Sequence, residues 1–375
     1  MSQEKNTPTF TSITIVGVGL IGGSLALALR RAGYRGTILG VSRPASLEAA
    51  QRLGAIDEGF PYERITEAAS RSGLVVLSGP ILTILEHLRI LGAAAGKLQP
   101  GTVISDVGST KNEIIKTATA VLPQEVLFIG GHPLAGSEQR GVAASDPFLF
   151  QNAYYVLTPA PAVPPAEVDR LADFISTTGA RVVVLPADQH DRVAAAISHL
   201  PQILAVNLVN FLGDLGAQRE VGIHLAAGGF RDMTRIASSS FAVWKDILST
   251  NRREVLDALD KFVERLRQET AGLDESTLET SFAKAAKTRA EIPRDTKGFL
   301  SQLWDILVEV EDKPGTITKL AEPLTAKGLN IKDIEVLKVR EGEGGTMRLA
   351  FETQKQALQA IEELKRQGFR ARARE

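Results

Sequence analysis

Short, unbroken apolar runs separated by helical stretches dominate the first half of the chain. Residues 13–16, 37–41, 74–78, 102–106 and 127–130 are mostly aliphatic or β-branched, with little polar alternation. A strand of that kind is buried on both faces, as strands are when helices cover a parallel sheet. Between these runs, residues 45–53, 81–98 and 111–121 read as helices. Residues 24–31 do so too, with leucines at 25, 27 and 29, arginines in the last turn and Gly33 as the stop. The alternation predicts a Rossmann-type α/β domain with a parallel sheet, right-handed crossovers, and ligands beyond the carboxyl ends of its strands. Two further strand-like runs, AYYVLTP and ARVVVLP, extend the sheet, and Pro186 closes it.

From residue 188 the period changes to that of long helices. The stretch from 193 to 212 is apolar nearly all round, which predicts a helix buried on most faces, and in an all-helical domain of this size a second subunit is a natural cover. The charged segment 287–298 reads as a linker. Beyond it the order strand, turn, helix, Gly-Leu-Asn, strand, strand, helix, strand predicts a small α+β unit of the βαββαβ kind. The expected domains are therefore 1–187 as the α/β domain, 188–292 as the helical domain and 299–375 as the α+β unit.

Composition narrows the partners. A length of 375 residues suits two or three domains, and a net charge of -1 gives no electrostatic case for nucleic acid or an anionic membrane. The substrate is then to be sought in a pocket. The absence of cysteine excludes disulfides, thiolate nucleophiles and cysteine metal sites, and fits a reducing compartment. With a polar start, MSQEKNTPTF, and no run judged to approach 18 uncharged apolar residues, the expectation is a cytoplasmic protein without a membrane span.

The first apolar run ends at Gly17-Val18-Gly19-Leu20-Ile21-Gly22, a G-x-G-x-x-G sequence standing between strand and helix. Gly17 allows the tight turn, Gly19 the approach of backbone N–H groups to a pyrophosphate, and Gly22 the close packing of helix on strand. Sites that prefer NAD place an acid at the end of the second strand for the ribose 2′-hydroxyl. Ser42 and Arg43 stand there instead, so no carboxylate repels a 2′-phosphate and an arginine can pair with one. The expected cofactor is NAD or NADP.

Five histidines are available for proton chemistry. His132, in GGHP after an apolar strand, is the candidate base, with two glycines clearing space around its ring. His199 interrupts an apolar helix in ISHLP. His87 and His224 read as structural, and the pair His190–Asp191 reads as a helix start capped by Asp191. No metal site is expected, since HExxH and cysteines are absent, and there is no G-x-S-x-G elbow for a serine hydrolase. In AAGGFRDMTRIASSSFAVWKDI, Arg235 reads as a carboxylate clamp and Asp232 as a helix cap, while Trp244 serves as core or as pocket wall.

The motifs GxGLIGGS, DVGSTK, GGHPLAGSE, SHLP and GGFRDMTRIASSS, in this order, resemble the prephenate/arogenate dehydrogenase family of tyrosine biosynthesis. The resemblance is near full length. VEVEDKPGTITKLAEPL and GLNIKDIEV resemble the ACT domain that many of these enzymes carry. It implies oxidative decarboxylation of prephenate to 4-hydroxyphenylpyruvate, with His132 taking the proton of the ring hydroxyl. Ser109 would bond that hydroxyl or His132, Arg235 the ring carboxylate, and His199 a substrate oxygen. Asp232 would reach the site from the partner subunit of a homodimer, Glu138 would modulate the pocket, and Trp244 would line it. Pro314, Gly315 and Asn330 mark the expected effector site, with tyrosine as the ligand. Arogenate is an alternative substrate. A β-hydroxyacid dehydrogenase is a weaker reading, because its lysine is missing from HDRVAAAISHLPQILAVNLVN, and a non-catalytic sensor would not need His132, Ser109 and Arg235 together.

Overall fold

The computed structural model describes residues 10–136, 139–271, 275–292, 303–311, 313–340 and 344–374. The chain divides into two compact units, one running to Leu278 and one beginning at Glu279.

The first unit is built on an eight-stranded sheet. Its strands are β1 (Ser12–Val16), β2 (Thr37–Val41), β3 (Glu58–Phe60), β4 (Leu74–Leu77), β5 (Val103–Asp106), β6 (Leu127–Pro133), β7 (Tyr154–Pro159) and β8 (Arg181–Val184), in the order β3-β2-β1-β4-β5-β6-β7-β8. Successive residues feed opposite faces. Leu74 and Val76 enter one apolar cluster with Ile13, Ile15 and Leu25, while Val75 and Leu77 enter another with Val16, Leu39 and Ile104. The polar exception in β1, Thr14, gives its hydroxyl to Ala68 O at 3.0 Å and meets Ser72 Oγ at 2.7 Å. A buried hydroxyl left unbonded there would cost about 1–3 kcal/mol.

The sheet departs from the expected parallel pattern at one edge. β1 to β6 pair in parallel, β7 runs antiparallel to β6, and β8 is parallel to β7. The cause is the connection: the described residues between 134 and 153 contain one 3₁₀ turn, Val142–Ala144, and no crossover helix. The short β3 was not evident in the sequence. The first helix, Leu20–Arg31, starts inside the glycine turn, four residues before the expected start at 24. Glycine's poor helix propensity hid that turn, which packing enforces.

After β8 comes a long helical run, Ala187–Ala194, Ala195–His199 as a π-turn, and Leu200–Gly213. Pro201 lacks the N–H that would bond back to residue 197, and the ladder widens just before it. The run corrects two expectations. Its 27 residues are long and apolar enough to cross a membrane by length and composition, which the sequence reading had excluded. Nor is it buried on most faces: Ala194, Ala195, His199, Gln202 and Ala205 turn inward, whereas Ile197 and Phe211 remain 64% and 69% exposed. Of the inward polar groups, Gln202 Nε2 donates to Ile236 O at 3.0 Å, while its Oε1 is buried with no partner among the described residues.

Helices Phe241–Thr250, Arg252–Thr270 and Glu275–Glu291 follow. The expected linker 287–298 therefore begins within a helix, and its part beyond residue 292 lies outside the described residues.

The second unit carries β9 (Trp304–Val310), β10 (Asp333–Arg340), β11 (Gly344–Phe351) and β12 (Arg370–Ala373), in the antiparallel order β10-β11-β9-β12, with helices Thr316–Ala326 and Gln354–Arg366. This is the expected βαββαβ unit. Ile306, Val308, Leu349 and Phe351 pack with Leu320 and Leu364 of the helices. Arg348, on the other face of β11, is buried by Asp305 and Glu335, each at 3.0 Å, and by Asp333.

Candidate functional site

β1 and β4 are neighbours, yet the chain leaves β1 outward to β2 and β3 before returning to β4. The glycine turn sits directly beyond β1, at that reversal. A Cβ on Gly17 would lie 2.5 Å from Ser78 O, and one on Gly22 would lie 2.4 Å from Gly17 O. These two glycines are required by packing, and Gly17 also has φ +95°. Gly19 faces open space, with nothing within 4 Å of a Cβ position. The unpaired N–H groups of the first helical turn, at Leu20 and Ile21, open onto the same end of the strand. Ser78 Oγ lies buried beside Gly22 with no partner among the described residues. An open cradle of backbone donors with an orphaned hydroxyl at its edge fits a dinucleotide phosphate.

Ser42 is buried at the end of β2, its N–H bonded to Phe60 O at 3.0 Å. Arg43 is exposed at the head of helix Pro44–Arg52 and has no ion pair among the described residues. Gly23, which the sequence reading passed over, is where residues 142–145 close on the first helix: a Cβ there would meet Ser145 Oγ at 2.2 Å.

The second cluster lies beyond β5 and β6. Asp106 and Lys111 form a fully buried ion pair, and Lys111 Nζ also donates to Gly131 O at 2.6 Å. Asp106 accepts from Gly108 N at 2.7 Å and Gly131 N at 3.1 Å. Burial depresses the Lys111 pKa and the Asp106 charge opposes it. The pair locks the loop after β5 against the end of β6, and removing either partner would leave an uncompensated buried charge, at a cost of about 3–5 kcal/mol. The glycines before His132 serve this packing. A Cβ on Gly131 would strike Asp106 O at 2.4 Å and one on Gly130 would strike Thr158 Oγ1 at 2.3 Å, so they answer to the neighbouring strands and not to space around the imidazole ring.

His132 is partly buried at the carboxyl end of β6, with Nδ1 2.8 Å from His190 Nε2. His190 Nδ1 in turn lies 2.8 Å from Asp191 Oδ1. Asp191 is not the cap of its own helix, as the sequence suggested. Its carboxylate accepts from Lys111 N at 2.7 Å and Asn112 N at 2.8 Å, capping helix Asn112–Val121 from outside. Asn251 Nδ2 donates to Asp191 O at 2.8 Å and lies 3.2 Å from His199 Nδ1. The His199 ring stands edge-on to Trp244, with centroids 5.9 Å apart. His132, His190, Asp191, Asn251, His199 and Trp244 thus form one continuous chain of contacts.

Desolvation holds His132 well below the ordinary histidine pKa, assisted by His190, Lys111 and His199. His199 is lowered to about 4, chiefly by burial, with Asp191 opposing and His190 reinforcing. Both rings are neutral at pH 7.

The remaining candidates are more scattered. Ser109 lies partly exposed between β5 and helix Asn112–Val121 and makes no hydrogen bond to His132, whose Nδ1 is taken by His190. Asp232 is exposed within helix Gly228–Thr234 and caps nothing; Arg235, also exposed, opens the 3₁₀ turn Arg235–Ser238 instead of standing in an apolar-sided helix. Glu138 lies outside the described residues. His87 stacks on Tyr62 at 5.5 Å and His224 bonds Glu220 O at 2.7 Å, both local contacts. In the second unit, Pro314 and Gly315 line a cavity of about 370 Å³ with Val310, Ile317, Val336 and Met347, whereas Asn330 is exposed and not among its walls.

Three sequence profiles match the chain: "Prephenate dehydrogenase, nucleotide-binding domain" over residues 25–184, "Prephenate dehydrogenase, dimerization domain" over 186–287, and "ACT domain" over 304–369. The prephenate dehydrogenase of Bacillus subtilis is 35% identical over 372 residues, covering 96% of this chain and 97% of that one. A crystal structure of prephenate dehydrogenase from Aquifex aeolicus with hydroxyphenyl propionate and NAD+ superposes with a TM-score of 0.68 at 31% identity, covering 75% of this chain and 98% of that one. Arogenate dehydrogenase from Synechocystis gives a TM-score of 0.67 at 29% identity, covering 75% and 99%.

Proposed function

Because the chain belongs to the prephenate dehydrogenase family, we propose that it catalyses the NAD(P)-dependent oxidative decarboxylation of prephenate to 4-hydroxyphenylpyruvate. The observation that carries this reading is His132 at the carboxyl end of β6, on the same edge of the sheet as the glycine turn, where burial favours its neutral ring. Gly17, Gly19, Leu20, Ile21 and Gly22 would hold the dinucleotide, whose nicotinamide, when bound, supplies the hydride acceptor. His132 takes the proton of the ring hydroxyl and returns it to the phenol oxygen of the product. Loss of carbon dioxide is driven by aromatisation. Ser109 holds the substrate hydroxyl, Arg235 the ring carboxylate, and His199 with Trp244 the pocket between them, while Asp232 and Glu138 act at its margin. In this reading residues 1–187 bind the dinucleotide, 188–292 bind substrate and pair two copies, and 299–375 regulate. A homodimer is supported by the match to a dimerisation domain and by the exposed apolar faces at Ile197 and Phe211. The absence of cysteine supports a cytoplasmic setting. Initial rates with prephenate and arogenate, each crossed with NAD and NADP, test the reading. Turnover confined to arogenate would replace the substrate.

The cofactor arm carries its own expectation. With the exposed Arg43 beside Ser42, measurable NADP use is expected. Ser42→Asp should shift preference toward NAD, since a carboxylate accepts from the ribose hydroxyls and repels a 2′-phosphate. Strict NAD dependence of the unaltered protein would assign the choice to other residues.

Regulation is proposed at the cavity beside Gly315. Gly315 has φ +85° and stands at the head of helix Thr316–Ala326, where backbone N–H groups suit a carboxylate, and the apolar walls suit an aromatic ring. Tyrosine is the proposed ligand, with Asn330 reaching it from a neighbouring copy. Deleting residues 299–375 should abolish tyrosine inhibition while leaving turnover. Inhibition that survives the deletion would locate tyrosine in the catalytic pocket.

A further inference from the structure

His190 and Asp191 have no part in the reaction as assigned above, yet both are buried and both are bonded toward His132. We infer that Asp191 and His190 are positioning residues that fix the tautomer and orientation of His132, leaving its Nε2 as the free basic nitrogen. The inference rests on the reading of His132 as the base.

Its logic is the direction of each hydrogen bond. The Asp191 carboxylate receives two backbone N–H groups, Lys111 N and Asn112 N, at the start of a ten-residue helix. Each of its two oxygens thus accepts a backbone hydrogen at a helix N-terminus, and the carboxylate meets His190 as an acceptor too. The hydrogen between His190 and Asp191 therefore sits on His190 Nδ1. With that hydrogen on Nδ1, His190 turns Nε2 toward His132 as the acceptor of their 2.8 Å hydrogen bond. So His132 carries its hydrogen on Nδ1, and its lone pair on Nε2, which takes no hydrogen bond from the described residues. One carboxylate at a helix end thus dictates, two rings away, which nitrogen receives a proton.

The same path serves the charged state. When His132 becomes imidazolium its Nδ1–H remains donated to His190, which remains donated to Asp191, so charge is stabilised without any group turning. Asn251 holds the Asp191 backbone through its carbonyl. Burial makes the arrangement consequential, because an imidazolium there without an acceptor on Nδ1 would be left with an unpaired buried N–H.

Two measurements test this. The protein has five histidines, so nitrogen NMR of ¹⁵N-histidine-labelled wild-type protein, assigned with His132→Asn and His190→Gln, reads each tautomer directly. The expected result at neutral pH is Nδ1–H for both His132 and His190. Hydrogen on Nε2 of His132 would overturn the inference. In kinetics, His190→Phe should lower kcat by about 10²-fold with both KM values changed by less than about twofold. His190→Gln presents an amide oxygen to His132 and an amide N–H to Asp191, and should retain kcat to within about fivefold. Equal losses in the two variants, or none in His190→Phe, would reduce His190 to packing. The base assignment fails separately: turnover surviving in His132→Asn removes it, whereas failure of the relay alone leaves His132→Asn inactive.

Discussion

His132→Asn should lower kcat by about 10²-fold or more while leaving dinucleotide affinity nearly unchanged, the usual effect of removing a positioned general base. Asparagine can still meet His190 through its amide, so the variant removes the basic nitrogen with little change in the surrounding packing. The glycine turn follows β1 and His132 ends β6, with β4 and β5 between them, which is why cofactor affinity should be insensitive. The pH profile carries the same content. His132 is held well below the ordinary histidine value, so the free ring should remain unprotonated, and activity should persist, below the pH at which an exposed histidine protonates. Fluorescence titration of the dinucleotide, steady-state rates and the acid limb of kcat/KM check the three parts. Near-normal turnover would take His132 out of the mechanism.

Arg235→Gln should act on binding, raising KM for the cyclohexadiene substrate by about 10²-fold, since charge-assisted hydrogen bonds contribute about 1.5–3 kcal/mol. The turn that carries Arg235 is tied to the site-bearing helix by Gln202 and Ile236 O at 3.0 Å. Arg235 is exposed there, and the thermal midpoint of the variant is read beside its KM. A lower midpoint with KM unchanged would make Arg235 a structural residue.

The two halves of the site were unequally legible. Gly17, Gly19 and Gly22 stand in a local pattern whose every member follows from one strand-turn-helix, so the sequence was sufficient. His132 was legible as a histidine at the end of an apolar strand, but its partner was not, because residues 132 and 190 are joined only by the packing of the helical run on the sheet. Asp191 was misread for the same reason. A sequence shows an acid near the start of a helix, but not that a different helix, 79 residues earlier, lies under its carboxylate. Lys111 and Asp106 were within a quoted motif, and the signal that could have found them was two opposite charges bracketing a glycine loop. The antiparallel turn into β7 was legible in principle, as a connection of 20 residues without a helical period.

The chain of contacts from Asp191 to His132 also limits how this protein can be recombined. Half of it hangs from the sheet region, through Lys111 N, Asn112 N and His132, and half from the helical region, through His190 and Asp191 of the long run and Asn251 between two later helices. Asp246 adds a further tie, accepting from Leu82 N at 3.2 Å. The seam between dinucleotide-binding and helical regions is thus no neutral crossover point. A chimera joining this sheet to a foreign helical region inherits the reactive ring without the groups that orient it, unless the donor brings its own histidine, acid and amide in register. Such exchanges should succeed only within lineages that share the seam.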